Sequence, residues 1–117
     1  ILSLMNGIGI SGNLKNLTPF LIHLKTLLNK NGQIIMDSSD VIYMYKDESG
    51  TYHIPKWKKY YGEVTFEFSY KNQFSNKFDW LFIDFDLLHK YATQAGLHCE
   101  LVKEGYHYDY LARLTKL

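Results

Sequence analysis

Apolar positions follow three rhythms along this chain. The first is a continuous run: Ile1, Leu2, Leu4 and Met5 crowd the opening, which stops at Asn6-Gly7, with a second glycine at Gly9. Such a run is too short for a helix and has the character of a strand buried on both faces. Residues 1–6 are read as a first strand, already central in its sheet. The second rhythm is helical. After a loop over residues 7–16, Thr18 and Pro19 supply an N-cap and a proline at the first helical position. Leu17 and Ile22 are placed to staple the helix entry. Apolar residues at 17, 20, 21, 24, 27 and 28 then repeat with helical spacing. Asn31-Gly32 is the predicted stop, with Gly32 in the left-handed conformation that ends helices. Gln33 to Met36 is a short buried strand, and Asp37, Ser38, Ser39 and Asp40 stand at its end.

The third rhythm is strict alternation. Val64, Phe66, Phe68 and Tyr70 alternate with Glu63, Thr65, Glu67 and Ser69, as in a strand with one wet face. A polar turn, Lys71 to Lys77, leads to a second strand, 78–83, completing an antiparallel hairpin. This hairpin and the tyrosine-rich stretch before it (Tyr43, Tyr45, Tyr52, Tyr60, Tyr61) break the helix–strand rhythm. Residues 41–83 are therefore read as an insertion lying over the ligand edge. Asp84 is an N-cap with Asp86 in the first turn, Phe85 to Ala95 is an amphipathic helix, and Gly96 is its stop. Residues 97–103 form a strand, Gly105 turns the chain, and 106–114 alternate again. Two strands so close in sequence pair antiparallel.

These elements make an α/β chain: a partial doubly wound, Rossmann-like sheet of parallel strands with an antiparallel last strand and an inserted β-hairpin, in one domain over residues 1–117. A crossover of this kind is right-handed, so the strand ends at 6–9 and 37–40 open on one edge of the sheet. The carboxyl ends of such strands are where open α/β sheets take ligands, and glycines there admit close backbone approach.

Composition narrows the function classes. A formal net charge of +1 offers no basic excess for nucleic acid or an anionic membrane. The nearest basic patch, Lys56, Trp57, Lys58 and Lys59, has the character of a solvated loop. One cysteine, Cys99, precludes an internal disulfide and suits a reducing cytoplasm. No apolar run approaches the roughly 20 residues of a membrane span. Ile1 reads as a cut end. His98 and Cys99 are adjacent on a strand and point to opposite faces, and His107 with Asp109 falls short of a zinc site. No metal is expected.

The ordered series resembles the C-terminal half of class I S-adenosylmethionine-dependent methyltransferases. Residues 2–10, 20–28 and 32–40 are similar to that family's fourth strand, following helix and fifth strand. Phe85 through Ala95-Gly96-Leu97 to Tyr110 and Arg113 is similar to its last helix and its sixth and seventh strands. The family's glycine-rich turn after the first strand, and the acidic residue that ends its second, have no counterpart here, and Gly7-Ile8-Gly9 is not that turn. The resemblance implies S-adenosylmethionine as cofactor of a complete parent protein, met in this half by Asn6, Gly7, Ile8 and Gly9. It also implies an acceptor pocket for a small molecule, lined by Asp37, Ser38, Ser39, Asp40 and Tyr43. Isolated, the chain is expected to be inactive, to bind no cofactor, and to form homodimers through the open edge of its first strand. The competing reading is a binding or assembly module that keeps the half-sheet without chemistry.

Overall fold

The computed structural model describes residues 1–4, 6–54, 60–66, 69–70, 73–74 and 78–117. Met5, the 56–59 basic patch and most of the 71–77 turn lie outside the described residues, as do the side chains of the alternating run from Phe66 to Tyr70.

Four strands form the main sheet in the order β1-β2-β8-β7: β1 (Leu2–Ser3), β2 (Gln33–Ser39), β7 (Leu97–Glu104) and β8 (Asp109–Lys116). β1 and β2 are parallel, with Leu2 opposite Ile35. β8 runs antiparallel to both β2 and β7, so β7 shares the direction of the first two. The expected fold class therefore holds, with one antiparallel strand set between two parallel ones. Burial alternates along β2 and β8. Ile34, Met36 and Ser38 face inward beside Tyr110, Ala112 and Leu114. Against this face lie Leu17 and Leu21 of α1 (Leu14–Thr26) and Leu88 and Ala92 of α2 (Phe85–Gln94).

Several boundaries differ from expectation. The first strand pairs over two residues rather than six, because the chain turns at Asn6 into a short 3-10 turn, Gly7–Ser11. α1 begins four residues before Thr18. Gly12, at φ 81°, releases the chain, and the Asn13 side chain caps the helix by accepting from the Asn16 N–H. Pro19 thus sits inside the helix. Both it and Lys15, whose carbonyl loses the N–H it would have received, are on the exposed side where water can replace the bond. The proposed staple fails, since Leu17 is in the core and Ile22 is 46% exposed. The helix ends at Thr26, before Asn31-Gly32, and Gly32 does not adopt a positive φ. The second helix needs no revision: Asp84 accepts from the Leu87 N–H, and Gly96 ends it at φ 83°.

The inserted hairpin pairs β3 (Glu63–Phe66) with β6 (Phe78–Leu81). Its connection carries a second short antiparallel pair, β4 (Ser69–Tyr70) with β5 (Gln73–Phe74). The hairpin is not wholly outside the core, because Leu81 and Ile83 at its exit are fully buried.

Candidate functional site

The end of β1 is built as a lock. Asn6 takes the left-handed conformation, φ 57° and ψ 37°, which asparagine tolerates better than most residues. Four groups hold it there. Its N–H donates to Asp37 Oδ1 at 2.7 Å and its side-chain amide donates to the Leu81 carbonyl at 3.0 Å. The Ser38 hydroxyl donates to Asn6 Oδ1 at 2.5 Å, and the Trp80 indole N–H donates to the Asn6 carbonyl at 3.2 Å. Ser38, almost fully buried, also accepts from the Ile83 N–H at 3.1 Å. Asp37 and Ser38 therefore serve Asn6. The turn that follows is closed by packing: Ile8 points into the core, and a Cβ on Gly9 would lie 2.0 Å from the Trp80 indole nitrogen. On Asn6's side chain one amide hydrogen and one lone pair of Oδ1 remain for a ligand. Of the four residues expected to meet the cofactor, Asn6 and Gly7 are half-buried and can face one, whereas Ile8 and Gly9 are buried within the chain itself.

Asp40 and Tyr43 belong to a different feature. Beyond the carboxyl ends of β2 and β7 lies an open cleft of about 1170 Å³. Asp40 caps the second 3-10 turn, Val41–Tyr45, by accepting from the Ile42 N–H. Two consecutive tyrosines of the insertion tie this cap to the start of α2. The Tyr61 hydroxyl donates to Asp40 Oδ1 at 2.7 Å and lies 3.4 Å from Asp84 Oδ1. The Tyr60 hydroxyl donates to Asp84 at 2.5 Å and accepts from the Asp84 N–H at 2.9 Å. Burial, then the neighbouring carboxylates, pushes both phenols well above their ordinary acidity range. Tyr110, whose hydroxyl donates to the Ile83 carbonyl, is shifted the same way by burial and by Asp84.

The facing wall is the β7–β8 turn. A Cβ on Gly105 would meet the Asp109 carboxylate at 2.2 Å, so a larger residue there would push that exposed side chain aside. Tyr108 has φ 61°, an unusual conformation for a bulky side chain, and its carbonyl accepts from the Asp40 N–H at 2.9 Å. The Tyr108 ring stacks on Tyr43 at 4.7 Å, with His107 edge-on to Tyr43 at 4.7 Å. Ser39, at the end of β2, is partly exposed and does not line the cleft. Sequence reasoning missed Glu104 as a cleft residue, the second role of Asp84, and Trp80. Glu104-Gly105 before an aromatic run was the available signal for the turn.

Among the described residues, no group of three or more His, Cys, Asp or Glu is arranged to hold a metal. No helix among them is long and apolar enough to cross a membrane.

No family model and no curated protein matches the sequence. Solved structures do. Over 99% of its length the chain matches an S-adenosylmethionine-dependent methyltransferase from Bacteroides fragilis, solved in complex with S-adenosyl-L-homocysteine, at 49% identity and a TM-score of 0.87. The fold is that of a class I methyltransferase, in part. The match spans 46% of the Bacteroides protein, so this chain corresponds to about half of that methyltransferase. The parallel pair β1 and β2, the two helices and an antiparallel last strand are the elements the resemblance called for; the position of β8 between β2 and β7 is new from the structure.

Proposed function

We propose that this chain is the acceptor-facing part of an S-adenosylmethionine-dependent methyltransferase, and that the methyl acceptor, a small molecule, enters the cleft between Asp40, Tyr43, Asp84 and the β7–β8 turn. The similarity over 99% of the chain to a methyltransferase solved with S-adenosyl-L-homocysteine carries this reading. The position of the cleft outside the carboxyl ends of parallel strands supports it. S-adenosylmethionine, held mainly by the remainder of the longer protein, supplies the methyl group. On this chain Asn6 and Gly7 form the wall next to the cofactor, with Ile8 and Gly9 packed behind them. The Tyr60–Asp84 and Tyr61–Asp40 bonds keep the cleft floor rigid, so that the acceptor is aligned and shielded from water, which is what methyl transfer to a good nucleophile chiefly requires. On this reading the isolated chain is inactive, and β1, whose Leu2 is 72% exposed, pairs with a second copy along its open edge.

The test is to isolate the native protein from its source cells with an antibody to this segment, weigh it, and assay it with methyl-labelled S-adenosylmethionine. The expected product exceeds 13.8 kDa by on the order of 100 residues and binds S-adenosyl-L-homocysteine. A native product of 13.8 kDa that binds none would refute the reading.

A further inference from the structure

We propose that the cleft selects a positively charged acceptor, a small molecule carrying a protonated amine beside a flat apolar face. This rests on the reading of the cleft as the acceptor pocket, and three features of the cleft argue for it.

The first is charge segregation. The chain as a whole is nearly neutral, yet among the described residues six of the eleven Asp and Glu line this one cleft, against one of the eight Lys and Arg. A concave surface lined by one sign of charge focuses the field into the cavity. Lys46, the one basic lining residue among those described, holds its ammonium 6.0 Å over the ring of Tyr52, which is not part of the lining. Of the six acids, Asp47 is paired with His53, Asp40 and Asp84 receive the tyrosine hydroxyls, and Asp109 accepts from the His107 N–H. Asp86 and Glu104 accept no hydrogen bond among the described residues and are open to a ligand.

The second feature is the aromatic wall, which is independent of the acids. It is assembled from two separate segments: Tyr43 from the 3-10 turn, and Tyr106, His107 and Tyr108 from the β7–β8 turn. Tyr106 is fully exposed and Tyr108 half-exposed, so apolar ring faces are held in water at the cleft mouth. Ring faces attract a cation, and planar apolar groups stack on them.

The third feature is rigidity. The Tyr61 hydroxyl reaches both Asp40 and Asp84, and the Asp40 N–H is bonded to the Tyr108 carbonyl. Floor and wall are therefore joined before a ligand arrives, which lowers the ordering cost of binding.

The test uses this chain without cofactor, so its outcome is separate from that of the methyltransferase assay. Benzylammonium, benzyl alcohol and benzoate are titrated and followed by amide chemical shifts. The expected result is that benzylammonium shifts residues 40–46 and 104–110, binds at least about fivefold more tightly than benzyl alcohol, and weakens with added salt, while benzoate does not bind. The pair of substitutions Asp86→Asn and Glu104→Gln, which breaks no described hydrogen bond, should cut benzylammonium affinity about fivefold and leave benzyl alcohol unchanged. Tyr43→Leu should cost about threefold for the cation. Equal affinity for the amine and the alcohol, binding insensitive to salt, shifts confined to other residues, or no binding of any probe overturns the proposal. The salt series on the unaltered chain decides the matter even where a variant fails to fold.

Discussion

Removing one hydroxyl tests whether the end of β1 is locked as described. Ser38 is 2% exposed, and its Oγ stands between two partners: it donates to Asn6 Oδ1 and accepts from the N–H of Ile83, itself fully buried. Ser38→Ala leaves that N–H with no partner and no water, a loss of about 1–3 kcal/mol. Asn6 Oδ1 also loses its donor, at about 1 kcal/mol for an ordinary net hydrogen bond. The expected destabilisation is therefore about 2–4 kcal/mol, against a total of about 5–15 kcal/mol for a domain of this kind. In urea, followed by circular dichroism, the midpoint should fall by about 1–2 M with the slope unchanged. Ser39→Ala, on the opposite face of the same strand, is the control and should change stability by less than about 0.5 kcal/mol. If Ser38→Ala matched that control, the hydroxyl would not be holding Asn6 and Ile83, and the account of the turn would be wrong.

Two further outcomes follow from the same structure. Burial, then Glu100, raises the Cys99 thiol from 9.0 to about 11, and Tyr60, Tyr61 and Tyr110 are raised from 10.0. Folding favours the neutral form of each. Their contribution is complete below pH 9 and is lost as pH rises, first through the thiol between 9 and 11 and then through the phenols above 10. Unfolding free energies from urea titrations should drop between pH 8.5 and 11, by at most about 3 kcal/mol from the thiol, and Cys99→Ala should remove that part; a flat profile would refute the burial argument. Separately, Leu2→Glu places a charge on the open edge of β1, where the native residue is 72% exposed. Light scattering should show pairing of the unaltered chain and a monomer for the variant, and a monomer for both would remove the edge as an association surface.

What could be read from the sequence, and what could not, divides along a physical line. The α/β order, the Asp84 cap, the Gly96 stop and the antiparallel last strand all rest on interactions within a few residues, and periodicity and cap chemistry report these directly. The entry to α1 was misread for a local reason too. Thr18-Pro19 imitates a helix start, while Asn13 with Leu14, Leu17 and Leu21 carries the real one, and a proline on the wet side of a helix is cheaper than a proline in its core. The sites are a harder matter. Asn6 and Ser38 were both singled out as strand-end residues, yet their roles are set by Leu81, Trp80 and Ile83, some 45–75 positions away. The cleft joins Asp40, Tyr61, Asp84 and Tyr108 through contacts between four separate segments. Each of those residues has an adequate local explanation, as a cap or as a turn tyrosine, and the local explanation is true. Two of them, Asp40 and Asp84, act as caps and cleft lining at once: Asp40 stands between β2 and the 3-10 turn it caps, and Asp84 between the hairpin strand β6 and α2, so each lies at the carboxyl end of a strand. An acidic cap in a parallel α/β fold is thus already a candidate for the ligand edge. That inference needs only the strand before it and the helix after it, and it would have brought Asp84 into the site beside Asp40.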